Sequence, residues 1–236
     1  MAPRPPPLVP RRLRRIVVSC ALGVVTLACL GVLAALALAR STPSWWGRVA
    51  RDDPATITLA EQVENGLVNH AYRRRDEPWT IEITAEQANA WLNVRLPKWS
   101  ANQGHAWPGE IGEMQVAFTP GRITLGARVL AGGRWHVVST DVTPRLEHGG
   151  LYLDARRMGV GRLGAPPSLA LRVAAPLLPT PDLRDRLRRT AEGDVPLARP
   201  AVVSLEDGRR VRVVAIEPGE GWLHVTLQTE PLPTGP

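Results

Sequence analysis

The chain has 236 residues, with 29 basic and 22 acidic side chains and a formal net charge of +7. Arg4, Arg11, Arg12, Arg14 and Arg15 all stand ahead of one apolar run, so residues 40–236 carry 24 bases (29 minus 5) against 22 acids. This near-neutral remainder takes away most of the nucleic-acid signature that the net charge suggests, and the only cysteines, Cys20 and Cys29, lie inside the run, which excludes disulfide or thiol chemistry beyond it.

Residues 1–15 form a basic tail rich in Pro and Arg, expected to be unstructured and too short for a signalling domain. Residues 16–39, IVVSCALGVVTLACLGVLAALALA, contain no charge. As a helix the run is about 36 Å long, enough to cross a hydrocarbon core of about 30 Å. Arg11, Arg12, Arg14 and Arg15 abut it on one side, and positive charge beside a span stays cytoplasmic. The expected topology is a single-pass protein of the bacterial cytoplasmic membrane, N-terminus inside and the bulk of the chain outside. Three other readings compete. Ala37-Leu38-Ala39 has the A-x-A form of a signal-peptide cleavage site, but signal h-regions are shorter than this run. Cys29 after Leu27-Ala28 resembles a lipoprotein signal, which would leave an apolar mature N-terminus. A buried core helix conflicts with the flanking arginines and the lack of a polar face.

Residues 40–53 are a juxtamembrane linker. Trp45 and Trp46 fall within a few residues of the span, where indoles favour the headgroup layer. The alternative is that they pack on the outer domain. That domain is expected over residues 54–236, long enough for one core. Asp53-Pro54 supplies an N-cap and an N1 proline. Leu59, Val63 and Leu67 keep helical spacing to about Tyr72, and Arg73-Arg74-Arg75 suits the C-terminal dipole. Trp79, Ile81 and Ile83 alternate as a strand. Thr84 to Gln87 reads as a capping box opening a helix through Asn89, Trp91 and Leu92. Pro97 is expected to end it, leaving a loop over 98–110 with Trp99, His105 and Trp107.

Beyond this loop the period changes to two. Met114, Val116 and Phe118 alternate, Pro120-Gly121 turns the chain, and Ile123, Leu125, Ala127 and Val129 alternate again. After Gly132-Gly133, Trp135 and Val137 are expected to continue the apolar face. His148-Gly149-Gly150 makes a further turn into Leu151, Leu153 and Ala155. Tight turns between alternating runs predict an antiparallel meander. Helices are expected over 168–178 and 182–190, and strands near 201–206, 210–217 and 222–229. The fold class is α+β: an N-terminal transmembrane helix, then a mostly antiparallel curved sheet with packed helices.

Catalytic patterns are missing. His70, His105, His136, His148 and His224 have no metal-ligand spacing. Ser139, His136 and Asp141 are the residue types of a triad but lie on one strand, whereas triad members converge from separate segments. Glu110 and Glu113 read as solvated carboxylates. The glycines at 159, 161 and 164 do not join a strand to a helix, as a dinucleotide site requires. No catalytic residue, metal or cofactor is expected. What remains is the apolar pattern. Helices laid on one sheet face leave a groove lined by Trp91, Phe118, Ile123, Leu125, Trp135 and Val137, candidates for a hydrophobic ligand. The alternative is that these six form the core.

Residues 83–96 (ITAEQANAWLNVRL), 116–129 (VAFTPGRITLGARV) and 161–166 (GRLGAP) resemble the YpmS-like family of bacterial single-pass membrane proteins, in an order similar to LmeA-like extracytoplasmic domains. In that pattern Thr84 begins the helix, Asn89 is the helix asparagine, Gly121-Arg122-Ile123 crosses the first hairpin and the Gly-Arg-Leu element ends the sheet. The resemblance covers about residues 78–180. It implies an extracytoplasmic α+β domain associated with lipid, and supplies no catalytic residue. The expected partners are membrane lipid and an envelope protein, with no nucleic acid.

Overall fold

The structure, a computed structural model, describes residues 11–73, 77–167, 185, 189, 193–194, 196–205 and 208–230. The helices expected over 168–178 and 182–190 fall outside the described residues, apart from Asp185 and Arg189, which are helical. The architecture is α+β, with one long apolar helix at the N-terminus and two antiparallel sheets.

Helix α1 runs Arg11–Arg40, so Arg11, Arg12, Arg14 and Arg15 begin the helix and do not form part of an unstructured tail. Its Leu22–Arg40 portion, of mean hydropathy 2.5 and with none of it buried, is long and apolar enough to cross a membrane. Helix α2 is Pro54–Tyr72. Asp53 caps it by accepting a hydrogen bond from Ala55 N at 3.1 Å, and Pro54 stands where a missing N–H costs nothing. Strand β1 is Trp79–Thr84, and α3 is Ala85–Val94. The capping box at its start is complete: Gln87 N donates to Thr84 Oγ1 at 3.2 Å, and Thr84 N donates to Gln87 Oε1 at 2.9 Å.

Pro97 does not begin a loop. It sits in the first turn of a new helix, α4 (Leu96–Asn102), where proline is tolerated for the same reason as at Pro54. The expected loop therefore starts only at Gln103.

The meander is β2 (Ile111–Thr119), β3 (Arg122–Ala131), β4 (Arg134–Glu147), β5 (Gly150–Val160) and the short β6 (Leu163–Ala165), paired in chain order. The second sheet has the order β1-β9-β8-β7, with β7 at Val202–Ser204, β8 at Arg210–Pro218 and β9 at Trp222–Glu230. Strand β1 thus leaves its sequence neighbours and pairs with β9, Trp79 opposite Leu227.

Register decides the faces. Val116 lies opposite Leu125, which lies opposite Thr140; Phe118 lies opposite Ile123, then Val142, then Ala155. Val116, Phe118, Ile123 and Val142 form a buried cluster. Ala85, Ala88 and Leu92 of α3 pack on it, as does Leu223 of β9, which ties the two sheets together. Burying Phe118 alone contributes about 1.5–3 kcal/mol. A smaller cluster of Ala60, Ala90 and Val94 joins α2 to α3. The sheets also meet through their turns: Gly221 N donates to Phe118 O at 3.1 Å, while Ala85 N donates to Gly221 O at 2.9 Å.

Candidate functional site between the linker and the sheet

The face of the five-stranded sheet opposite α3 is built differently. One row across it reads Gln115, Gly126, Ser139, Gly159 and Gly164, each opposite the next. Three of the five have no side chain, so the row is a trough, and the linker after α1 lies in it. A Cβ at Gly126 would stand 2.5 Å from Trp45 Cη2 and 2.9 Å from Trp46 Cζ3. The two indoles meet edge to face, with centroids 5.4 Å apart. Beside them Gln115, 3 % exposed, grips the linker backbone: Gly47 N donates to its Oε1 at 3.0 Å, and its Nε2 donates to Gly47 O at 2.7 Å. Trp45 and Trp46 therefore pack on the outer domain. Gly126 makes this possible by allowing close approach.

The end of α1 is fastened to the same sheet. Arg162 N, in the β5–β6 turn, donates to Leu38 O at 2.9 Å, and Ser41 N and Oγ donate to the same carbonyl. These bonds occupy a carbonyl that the helix itself leaves open. Gly161 has φ +59, and a Cβ there would strike the carbonyl oxygens of Leu38, Ala39 and Ser41.

Clefts open on both sides of the strapped linker. One, of about 360 Å³, runs from Pro43, Ser44 and Trp45 to Arg122, Asp141, Arg157 and Arg162. Within it Thr124 Oγ1 donates to Asp141 Oδ1 at 2.7 Å, and Arg122 Nη1 lies 3.7 Å from Asp141 Oδ2. The other, of about 490 Å³, lies between Ala39–Thr42 and a wall of Glu113, Arg128, Trp135 and Val137. There Arg128 sits 5.8 Å from the Trp135 ring centroid and 3.8 Å from Glu113.

The six candidates for a hydrophobic groove are not brought together. Phe118 (5 % exposed) and Ile123 (9 %) are core, and Leu125 packs against that core. Trp91 is half-buried on α3. Trp135 and Val137 lie on the opposite sheet face, beside the linker. The cause is the two-residue turn at Gly132-Gly133, which pairs Ala131 with Arg134. Across it odd-numbered residues oppose even-numbered ones, so the core face of β3 continues on β4 as His136, Val138, Thr140 and Val142. The same alternation puts His136 on the opposite face of β4 from Ser139 and Asp141. Among the described residues, no three His, Cys, Asp or Glu side chains are grouped to hold a metal ion. His224 hydrogen-bonds Glu82 at 2.8 Å across β1 and β9, and His70 bonds Gly66 O within α2. The glycines at 159, 161 and 164 belong to the β5–β6 hairpin.

Asn89, singled out as the helix asparagine, has a backbone partner. It bonds Val116, and Asn93 one turn later bonds Met114 in the same way. The trough had a readable signal, since a lone glycine inside an alternating strand marks close approach of another backbone or ring. The chain matches no protein-family model, and no curated protein matches it.

Proposed function

We propose that this is a single-pass protein of the bacterial cytoplasmic membrane, N-terminus inside, whose outer domain carries out no reaction and binds lipid beside its own anchor. The observation that carries this reading is the bond from Arg162 N to Leu38 O. It joins the last turn of the apolar helix to the sheet, so clefts on both sides of the linker open where the chain leaves the bilayer. The resemblance at residues 83–96 and 116–129 is part of the same proposal. The ligand site is not the α3-covered apolar face, whose centre is filled by Phe118 and Ile123.

Two measurements test it. Protease added to sealed spheroplasts should digest the outer domain and spare an N-terminal tag; a soluble mature protein starting at Arg40 would overturn the anchor. Native mass spectrometry of the full chain, released from its membrane in mild detergent, should show retained lipid. A second reading, a structural subunit of an envelope assembly, is favoured by three exposed apolar side chains, Leu197 beside β5, Val203 on β7 and Val214 on β8. Lipid-free protein that crosslinks to one stoichiometric partner would replace the first reading with the second.

A further inference from the structure

We propose that the 360 Å³ cleft between the linker and β3–β5 is a site for a phosphodiester, held by Arg122, Arg157 and Arg162. This deepens the lipid-binding reading and rests on it. The volume lies at the low end for ligand sites. Three guanidinium groups face one carboxylate, and that carboxylate is engaged: one Asp141 oxygen accepts the Thr124 hydroxyl and the other lies near Arg122. Among the described residues, neither Arg157 nor Arg162 makes an ion pair. The cleft therefore carries unspent positive charge. Guanidinium forks match phosphate oxygens in pairs, which a lysine point charge does not.

Two features make this more than a chance cluster. Gly164 has no side chain, and a Cβ there would run into the Arg157 guanidinium, so the strand is cut away to let that group lie across it. Arg162 is fixed by its own backbone bond to Leu38, at the end of the apolar helix. The site is thus placed at the depth of headgroups in the leaflet that α1 leaves. Leu163, 39 % exposed beside Arg162, offers an apolar neighbour for the first part of an acyl chain.

A phosphodiester can come from a lipid headgroup, and inorganic phosphate offers the same oxygens free in solution. The test uses the full chain in nanodiscs of phosphatidylcholine with and without phosphatidylglycerol, followed by native mass spectrometry of retained lipid. The variants are Arg157→Gln with Arg162→Gln, both at exposed positions, and separately Gly164→Val, which keeps every charge but displaces Arg157. Phosphatidylcholine carries the same phosphodiester but sets a choline cation beside it, which three guanidinium groups repel, so the wild type should retain phosphatidylglycerol over phosphatidylcholine by about tenfold. The double variant should lose that preference with its thermal midpoint unchanged, and Gly164→Val should weaken it. A parallel arm adds inorganic phosphate to the chain in detergent. Stabilisation by inorganic phosphate alone, abolished by the double variant, would assign the cleft to the free anion and overturn the headgroup. Retention of both lipids without preference, or a preference that survives both variants, would overturn the cleft and leave lipid binding standing. No retained lipid of either kind would instead remove the reading beneath it.

Discussion

Asn89 pairs with Val116 as a neighbouring strand would. Its Nδ2 donates to the Val116 carbonyl at 3.0 Å, and its Oδ1 accepts from the Val116 N–H at 2.6 Å. Asn93 repeats the pattern on Met114, donating at 2.6 Å and accepting at 3.0 Å. Both backbone groups belong to β2, the first strand of the five-stranded sheet. An open strand edge invites pairing with another chain. Here one helix face closes it with two carboxamides.

Asn93→Ala should therefore destabilise the outer domain by about 2–3 kcal/mol, because Asn93 is only 4 % exposed and its loss strands both polar groups of Met114. Urea unfolding of the detergent-solubilised chain measures this. The Met114 amide should also lose hydrogen-exchange protection. A change below about 0.5 kcal/mol would mean that water replaces the carboxamide.

Gly126→Ala should dislodge the linker without unfolding the sheet. The new methyl meets two indoles, and overpacking of this kind costs about 1–3 kcal/mol. Tryptophan emission should shift to the red, and trypsin should cut sooner at Arg48 and Arg51. Trp45→Ala in the same chain makes room for the methyl, so the double variant should lose less than the sum of the singles. Strict additivity would show that Trp45 and Gly126 are not coupled.

Gly161→Val should loosen the join between α1 and the sheet, since its φ of +59 and its crowding by three carbonyls both resist a side chain. The cost should be about 1–3 kcal/mol. The Arg162 amide, bonded to Leu38 O in the wild type, should exchange quickly in the variant. Slow exchange in both proteins would place the fastening elsewhere.

Acid should weaken the contact between α2 and α3. Arg95 donates to Glu64, and this bond holds the Glu64 carboxyl below its ordinary value. A carboxyl depressed in the folded state contributes stability above its unfolded value of 4.5, and that contribution is lost as pH falls through the lowered folded value. The pair is exposed, so Glu64→Gln should cost about 0.2–1 kcal/mol at neutral pH. The difference between the two proteins should vanish in acid; a difference that persists there would exclude the ion pair as its cause.

Much of the fold was legible locally. Asp53-Pro54 and Thr84 to Gln87 mark helix starts through bonds within three residues, so they can be read from the sequence alone. The first hairpin was also legible, because its even-numbered and odd-numbered apolar residues change parity across Pro120-Gly121 as the register requires. Across Gly132-Gly133 the apolar Trp135 and Val137 continue the odd numbering of β3, yet pairing moves them to the other face. Apolar character could not reveal this, because the linker gives that second face something to bury. Asn89, Asn93 and Gln115 escaped notice as site builders for a related reason. Their partners are backbone groups 21 to 68 positions away, which leave no mark in side-chain pattern.

The partnership of β1 with β9 sets a timetable. Trp79 and Leu227 are 148 positions apart (227 minus 79), whereas β2 to β6 each find a partner in the next stretch of chain. In a chain delivered from its N-terminus, the meander can close while β1 is still waiting. Long-range pairing of this kind is slow because a large loop must be closed before any bond forms. Leu223 and the Gly221 turn, which link the two sheets, arrive in the same last segment. The half-made protein is thus a five-stranded sheet attached to a single unsatisfied strand, which waits for β9 to capture it.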